Sequence, residues 1–405
     1  MPTALLIGAG VAGPVAAMAL QRAGIDAEVF EAHPRTAEDV GTFLTLQTNG
    51  MDALRAIDAH DAVAGIGFPT PIMRFTSGPG RALGALPTGR ALDDGTVSHT
   101  VRRADLYSAL RDEALRRGVV IHHSHRLVHA HERDGRVRAA FANGARVDAD
   151  LLVGCDGVRS RVRAIINPVG AGARRLPLLN LGGYAEHVVP DARVGDYHMV
   201  FGRRGFFGYV VAPDATTWWF ANPRSPANAE EQSIAATTDA QWRRRLRDLY
   251  ADDRSPAIDL IDATRHPLRG HSTWDLPSVG RWRTDTMIVI GDAAHAASPS
   301  SGQGASMAIE DAVQLARCVR DLPGIPDALA AYEQLRRTRV ERVVTAGART
   351  SNDKVAGPVA RVLRDTFMPL FIRRVAGRGR LSLDWIHTHH IDWDDPVGAT
   401  PAGQR

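Results

Sequence analysis

Apolar residues along this chain come in short runs that end on glycine or an acid, and between the runs they recur at helical spacing. Ala4-Leu5-Leu6-Ile7 is the first run. It leads into Gly8-Ala9-Gly10-Val11-Ala12-Gly13, an Ala-rich stretch to Gly24, and a second run, Ala27 to Phe30, closing on Glu31. This predicts strand, glycine turn, helix and strand, with an acid about twenty residues past the glycines. Two later runs, Leu151 to Val153 and Met287 to Ile290, read as buried strands that end at Gly154-Cys155-Asp156-Gly157 and Gly291-Asp292. Alternating segments at Tyr197 to Gly202, Phe206 to Ala212 and Thr217 to Asn222 predict three antiparallel strands, and Ile72 to Phe75 a further β excursion. Val137 to Ala142 and Ala145 to Asp148 predict a hairpin around Asn143-Gly144, while Gly118 to His123 and Leu127 to His131 are strand candidates. Helices are expected over 50–59, 101–117, 230–250, 306–322 and 329–350, with a tail that is helical and then irregular. The fold class is α/β, Rossmann-like, with an inserted antiparallel sheet and C-terminal helices.

The first glycine turn has the chemistry of a nucleotide site. Gly8 makes the tight turn, Gly10 lets backbone approach a pyrophosphate, and Gly13 lets the helix lie close to the sheet. The helix N-terminus aims unpaired N–H groups and a partial positive charge at the phosphates. Glu31 can accept hydrogen bonds from both ribose hydroxyls. At this point the nucleotide is either NAD or FAD.

Composition removes other classes. The chain has 405 residues, 44% of them hydrophobic and 23% charged, which fits a globular protein of two or three domains. No stretch is long enough to span a membrane, and no secretory signal opens the chain, so no membrane partner and a cytoplasmic location are expected. Two cysteines, Cys155 and Cys318, make no disulfide framework. The pI of 9.4 invites a nucleic-acid reading, but the net charge is only +4 and the arginines are scattered without a basic stripe or motif. Lys354 is the only lysine. Arg336-Arg337 and the helix around them read as a solvated face. His387, His389 and His390 lack the spacing and partners of a metal site, so no metal is expected.

Gly291-Asp292 is followed by Ala293-Ala294-His295, Pro299, and Gly302-Gln303-Gly304-Ala305-Ser306 opening a helix that contains Glu310-Asp311. An acid at a strand's end can bind a ribityl hydroxyl, and a glycine loop at a helix N-terminus can face a flavin's pyrimidine edge and stabilise negative charge there. With these three motifs in order, the chain resembles the single-component (group A) FAD-dependent aromatic hydroxylases of the 4-hydroxybenzoate hydroxylase fold. That group includes salicylate-hydroxylase-like and tetracycline-modifying monooxygenases, and the resemblance runs to about residue 350. It implies that Gly8, Gly10, Val11, Ala12 and Gly13 hold the FAD pyrophosphate, Glu31 the adenosine ribose, and Arg103 the pyrophosphate. It places Val128 by backbone at adenine and Asp292 on the ribityl chain. Pro299, Gly302, Gly304, Ala305 and Ser306 would form the loop at the flavin ring. Asp156, with Arg159 and Arg163, would serve both structure and cofactor.

The resemblance further implies reduction of FAD by NADPH or NADH, reaction with dioxygen, and delivery of one oxygen through a flavin hydroperoxide to an aromatic or polyketide-like molecule. Hydroxylation is the expected outcome and Baeyer–Villiger insertion the variant; no acid–base residue is assigned. A flavin halogenase or reductase of the same fold, or a non-catalytic FAD-binding accessory protein, stay as alternatives. The halogenase segment Trp-x-Trp-x-Ile-Pro is absent. An FAD-binding domain is expected over 1–71, 101–174 and 281–349, a substrate domain over 72–100 and 175–280, and a C-terminal segment over 350–405. Substrate would lie against the antiparallel sheet, where alternation puts Phe207 and Tyr209 on one face and Trp218 and Phe220 on one face of the next strand. Phe207, Tyr209 and Phe220 are the candidate substrate contacts. A monomer or homodimer is expected.

Overall fold

A computed structural model describes residues 1–35, 42–170, 172–225, 231–276, 278–353, 357–376 and 384–398. Five parallel strands form the first sheet, in the order Met287–Val289, Leu151–Gly154, Thr3–Ile7, Asp26–Phe30 and Val120–His122. The three runs that end in glycine and acid are thus neighbours, and their turns line up along one edge. Helices Ala12–Arg22 and Gly304–Asp321 pack together over this sheet. Nearly every residue of each is buried, which is why both read as apolar almost all round.

The second sheet has seven strands: His271–Asp275, Arg174–Ala185, Thr217–Asn222, Phe206–Val211, Tyr197–Phe201, Ile72–Ser77 and Ala82–Pro87. All its pairings are antiparallel except Tyr197–Phe201 against Ile72–Ser77. Helices Asp239–Tyr250 and Ala257–Ala263 bury Trp242, Leu246, Leu260 and Ile261 against one face. The other face turns to the strand Phe43–Leu46. Asn143-Gly144 sits at the expected hairpin turn, with Gly144 at φ 89° between Arg136–Phe141 and Arg146–Ala149. Several boundaries differ from the sequence pattern, two of them for a clear local reason. The segment expected as one helix over 230–250 is broken, because Thr238 and Gln241 form a capping box that starts a new helix at Asp239. Residues His99–Arg102 are a strand, so the next helix begins only at Arg103. Residue 230, the expected start of the first of these helices, lies outside the described residues.

Arg336 is the largest departure: it is 1% exposed rather than solvated. It donates from Nε to Asp311 (2.7 Å) and from Nη1 to Glu310 (2.6 Å), both carboxylates being fully buried. Arg339 pairs with both oxygens of Glu310 at 2.9 and 2.7 Å, and donates to the carbonyls of Trp385 and Ile386. Asn49 Nδ2 reaches Glu310 (2.6 Å) and Gln303 (3.0 Å). Asp311 accepts the Gly291 N–H (2.8 Å) and the His295 ring. Burial alone would raise both carboxyls. Arg336 and Arg339 offset it at Glu310, holding that carboxyl down at about 2, and His295 followed by Arg336 offset it at Asp311, holding that one well below the carboxylate range.

Removing one partner strands buried charge, so Arg336→Met should lower the unfolding free energy by about 3–5 kcal/mol in a denaturant titration. Because the folded-state pKa values lie below the unfolded ones, the network's contribution is complete above the ordinary carboxylate range. It is lost as pH falls toward the folded-state values. The denaturant midpoint of the unaltered protein should therefore drop steeply below about pH 4.5, and less steeply in Arg336→Met.

Candidate active site

The first glycine turn follows from three local constraints. Gly8 sits at φ 104°, and a Cβ there would lie 2.7 Å from the Cys155 carbonyl oxygen, so the turn presses against the neighbouring strand's end. A Cβ on Gly13 would lie 2.0 Å from the Gly8 oxygen, whereas one on Gly10 would meet nothing within 4 Å. The turn is closed on the protein side and open on the other. Glu31 Oε2 accepts the Ala9 N–H at 2.8 Å, which brings the acid to the mouth of the turn. Helix Ala12–Arg22 starts without a side-chain cap, so its first N–H groups, from Ala12 and Gly13 on, point into the opening, and Val11 flanks them.

The third junction faces the first. Gly291 takes φ 58°, and Asp292 opens from it. Asp292 is exposed by area, yet the protein packed around it raises its carboxyl, with His295 and Arg103 pulling the other way. A Cβ on Gly304 would lie 3.6 Å from Asp292 Oδ1, so this acid stands beside the start of the next long helix. Arg103 heads its helix, donates from Nε to the Tyr107 hydroxyl (2.7 Å), and feels the charge of Asp292. Pro299 lies in a short 3-10 turn and Gly302 at φ 61° reverses the chain. Helix Gly304–Asp321 then begins, again without a side-chain cap. Ser306 Oγ accepts the Gln47 N–H (3.0 Å), fixing Gly304, Ala305 and Ser306 against the segment before Asn49. Gln303 is 2% exposed and its Nε2 has no hydrogen-bond partner. A buried donor of this kind fits a polar ring edge beside it.

Asp156 plays a different part in the geometry. Its carboxylate accepts Ser160 Oγ and the N–H groups of Arg161 (2.6 Å) and Val162 (3.1 Å), so it supports the start of helix Arg161–Ile166, whose N-cap is Ser160. Arg159 pairs with Glu231 (2.9 Å). Arg163 donates to the carbonyls of Ala293 (2.9 Å) and Val158 (2.7 Å), tying the second junction to the third. Val128 is 47% exposed on the edge strand of a small hairpin sheet, its carbonyl accepting from Arg161.

The antiparallel sheet divides the three substrate candidates between its two faces. Phe207 is fully buried, stacked on Trp219 and edge-on to Tyr250, and Tyr209 stacks on His198; both lie on the helix-backed face. Cross-strand pairing puts Tyr197, Val210, Trp218 and Tyr184 on the opposite face, with Phe220 beside them. Phe43 meets Trp218 at 5.6 Å and Phe220 at 6.3 Å, and the Tyr184 hydroxyl donates to the Thr42 carbonyl (2.6 Å). Arg102 lies over the rings of Tyr184 and Trp218. Tyr184, Tyr197 and Phe43 were not singled out by the sequence, although Trp218 and Phe220 mark the same alternation. Among the described residues no group of three His, Cys, Asp or Glu side chains is placed to hold a metal.

The glycine geometry separates two effects. Gly13→Ala must push the helix off the sheet and should cost about 1–3 kcal/mol in stability. Gly10→Ala should leave the apoprotein melting temperature unchanged while weakening FAD binding on the order of tenfold or more, read by flavin fluorescence.

Residues 2–347 match the family described as FAD binding domain. The chain is 31% identical to the aurachin C monooxygenase/isomerase of Stigmatella aurantiaca, over 88% of this chain and 87% of that protein. It is also 31% identical to the 3-amino-4-hydroxybenzoate 2-monooxygenase of Streptomyces cremeus, over 84% of each. HpxO of Klebsiella pneumoniae, solved with FAD and uric acid, superposes with a TM-score of 0.82 over 93% of this chain and 95% of its own, at 23% identity. With its three turns side by side at one edge of the parallel sheet, this chain belongs to the FAD-binding-domain family of flavoprotein monooxygenases.

Proposed function

We propose that the protein is an NAD(P)H-using monooxygenase that inserts one oxygen atom of dioxygen into an aromatic or polyketide-like small molecule, with hydroxylation as the outcome. The balanced reaction consumes substrate C–H, NAD(P)H, a proton and dioxygen, and releases the hydroxylated product, NAD(P)+ and water. The observation that carries the substrate class is the aromatic face of Tyr184, Tyr197, Trp218 and Phe220 opposite Phe43, beside the turn that ends at Ser306. Walls of this kind grip planar rings and exclude water.

When bound, FAD supplies hydride acceptance and oxygen activation; the chain supplies position and dryness. In this reading Gly8, Gly10, Val11, Ala12 and Gly13 hold the pyrophosphate with Arg103, Glu31 the ribose, and the Val128 backbone the adenine. Asp156 acts by shaping the turn beside Gly8. Asp292 holds the ribityl chain. The loop from Pro299 and Gly302 sets Gly304, Ala305 and Ser306 at the ring, where the uncapped helix N-terminus favours negative charge. The discontinuous domain division at residues 71, 100, 174 and 280 belongs to the same proposal.

Purified holoprotein should oxidise NADPH or NADH faster when a suitable phenol or polyketide is added, with oxygen uptake and a product heavier by one oxygen in mass spectrometry. If no phenol, quinone or polyketide stimulates NAD(P)H oxidation, the proposal fails. Phe220→Ala should raise KM about tenfold, the worth of one lost ring contact, with the melting temperature little changed. Phe207→Ala should instead cost about 3–5 kcal/mol of stability and leave the KM of the folded enzyme unchanged.

A further inference from the structure

Helix Pro358–Ala376 is apolar on two sides, yet only one side is covered. Ile372 alone among its described side chains is buried, seated where a Cβ on Gly84 of the edge strand Ala82–Pro87 would come within 2.7 Å of it. Val362, Leu363, Phe367, Leu370 and Phe371 point away from the sheet and are 53–67% exposed. They make up five of the thirteen large exposed hydrophobics among the described residues, and the other eight are scattered through the chain. Single exposed apolar residues need no explanation, but a contiguous stripe on one helix does.

Charge is concentrated in the same place. Residues 358–376 contain four arginines against one aspartate, a net +3 in a chain whose total is +4. The one acid, Asp365, is already bonded to Arg364 at 2.9 Å. Arg373 and Arg374 are exposed at the end of the apolar stripe. Arg361 donates to the Arg203 carbonyl and Arg364 lies over the Phe201 ring, so Arg373 and Arg374 are the arginines this face presents. An anionic surface would complement them.

We propose that the outward face of helix Pro358–Ala376 is a peripheral docking surface for an anionic lipid bilayer. The phenylalanines and leucines enter the acyl boundary, and the arginines lie among the headgroups. No helix of the described residues is long and apolar enough to cross a membrane, so the contact is one of lying on the surface. This inference does not depend on the reaction proposed above.

Co-sedimentation of the holoprotein with vesicles tests it, using phosphatidylcholine alone and phosphatidylcholine mixed with phosphatidylglycerol. The protein should pellet with the anionic vesicles, much less with the neutral ones, and should be released by high salt. Neutralising each arginine in Arg373→Gln/Arg374→Gln should weaken partition about fivefold. Phe367→Asp/Phe371→Asp should abolish it, with flavin content and melting temperature retained in both variants. Failure to bind anionic vesicles, or binding that both double variants keep, overturns the proposal. So does a holoprotein dimer that Phe367→Asp/Phe371→Asp converts to monomer, because that result assigns the face to a second copy.

Discussion

Two carboxylates side by side in an apolar helix cannot be buried without cations, and the rest of this structure is arranged around that requirement. Glu310 and Asp311 sit in the middle of helix Gly304–Asp321, where no face reaches water. Arg336 and Arg339 answer them from the following helix, and the remaining lone pairs are filled by Asn49, the Gly291 N–H and His295. These partners come from three segments: helix Ile325–Asp353, the Gly291–His295 junction and the helix around Asn49. The network therefore fixes the relative places of the Gly291 turn, the Gln303 turn and the segment around Asn49. Positioning by a satisfied buried network is stiff, because loosening any one bond leaves a charge unpaired.

The second organising choice is the division of the seven-stranded sheet. Its strands carry aromatics on both faces, but their surroundings differ. Phe207, Trp219 and Tyr250 lie under helices and act as core. Tyr184, Tyr197, Trp218 and Phe220 face the strand Phe43–Leu46, and their neighbours include the Thr42 carbonyl and Arg102. One sheet thus packs a separate aromatic cluster on each face.

What the sequence made legible follows from how local each cause is. A glycine turn between a strand and a helix is set by a handful of adjacent residues, so all three junctions could be read directly. Alternation along Phe206–Val211 shows that there are two faces but not which one the helices will cover, since that depends on residues 239–263 packing from afar. Alternation therefore groups Phe207 with Tyr209 without showing that theirs is the helix-backed face. Arg336 was misread because its partners lie 25 and 26 residues away on another helix. Glu310-Asp311 inside an apolar helix was the available signal, as a buried acid pair must find arginines. The break at Thr238 was also legible in principle, as Thr238 and Gln241 have capping-box spacing.

The parallel sheet also has a consequence for synthesis. Strand Thr3–Ile7 is paired on one side with Leu151–Gly154, and that strand in turn with Met287–Val289. The Arg163 bond to the Ala293 carbonyl joins residues 130 apart. At ribosomal speeds of about 5–20 residues per second, roughly a quarter of a minute to a minute separates the emergence of the first glycine turn from that of Gly291-Asp292. For that interval the oldest part of the nucleotide site exists without the neighbours that shape it. The arrangement of three adjacent junctions is complete only when the third strand has arrived.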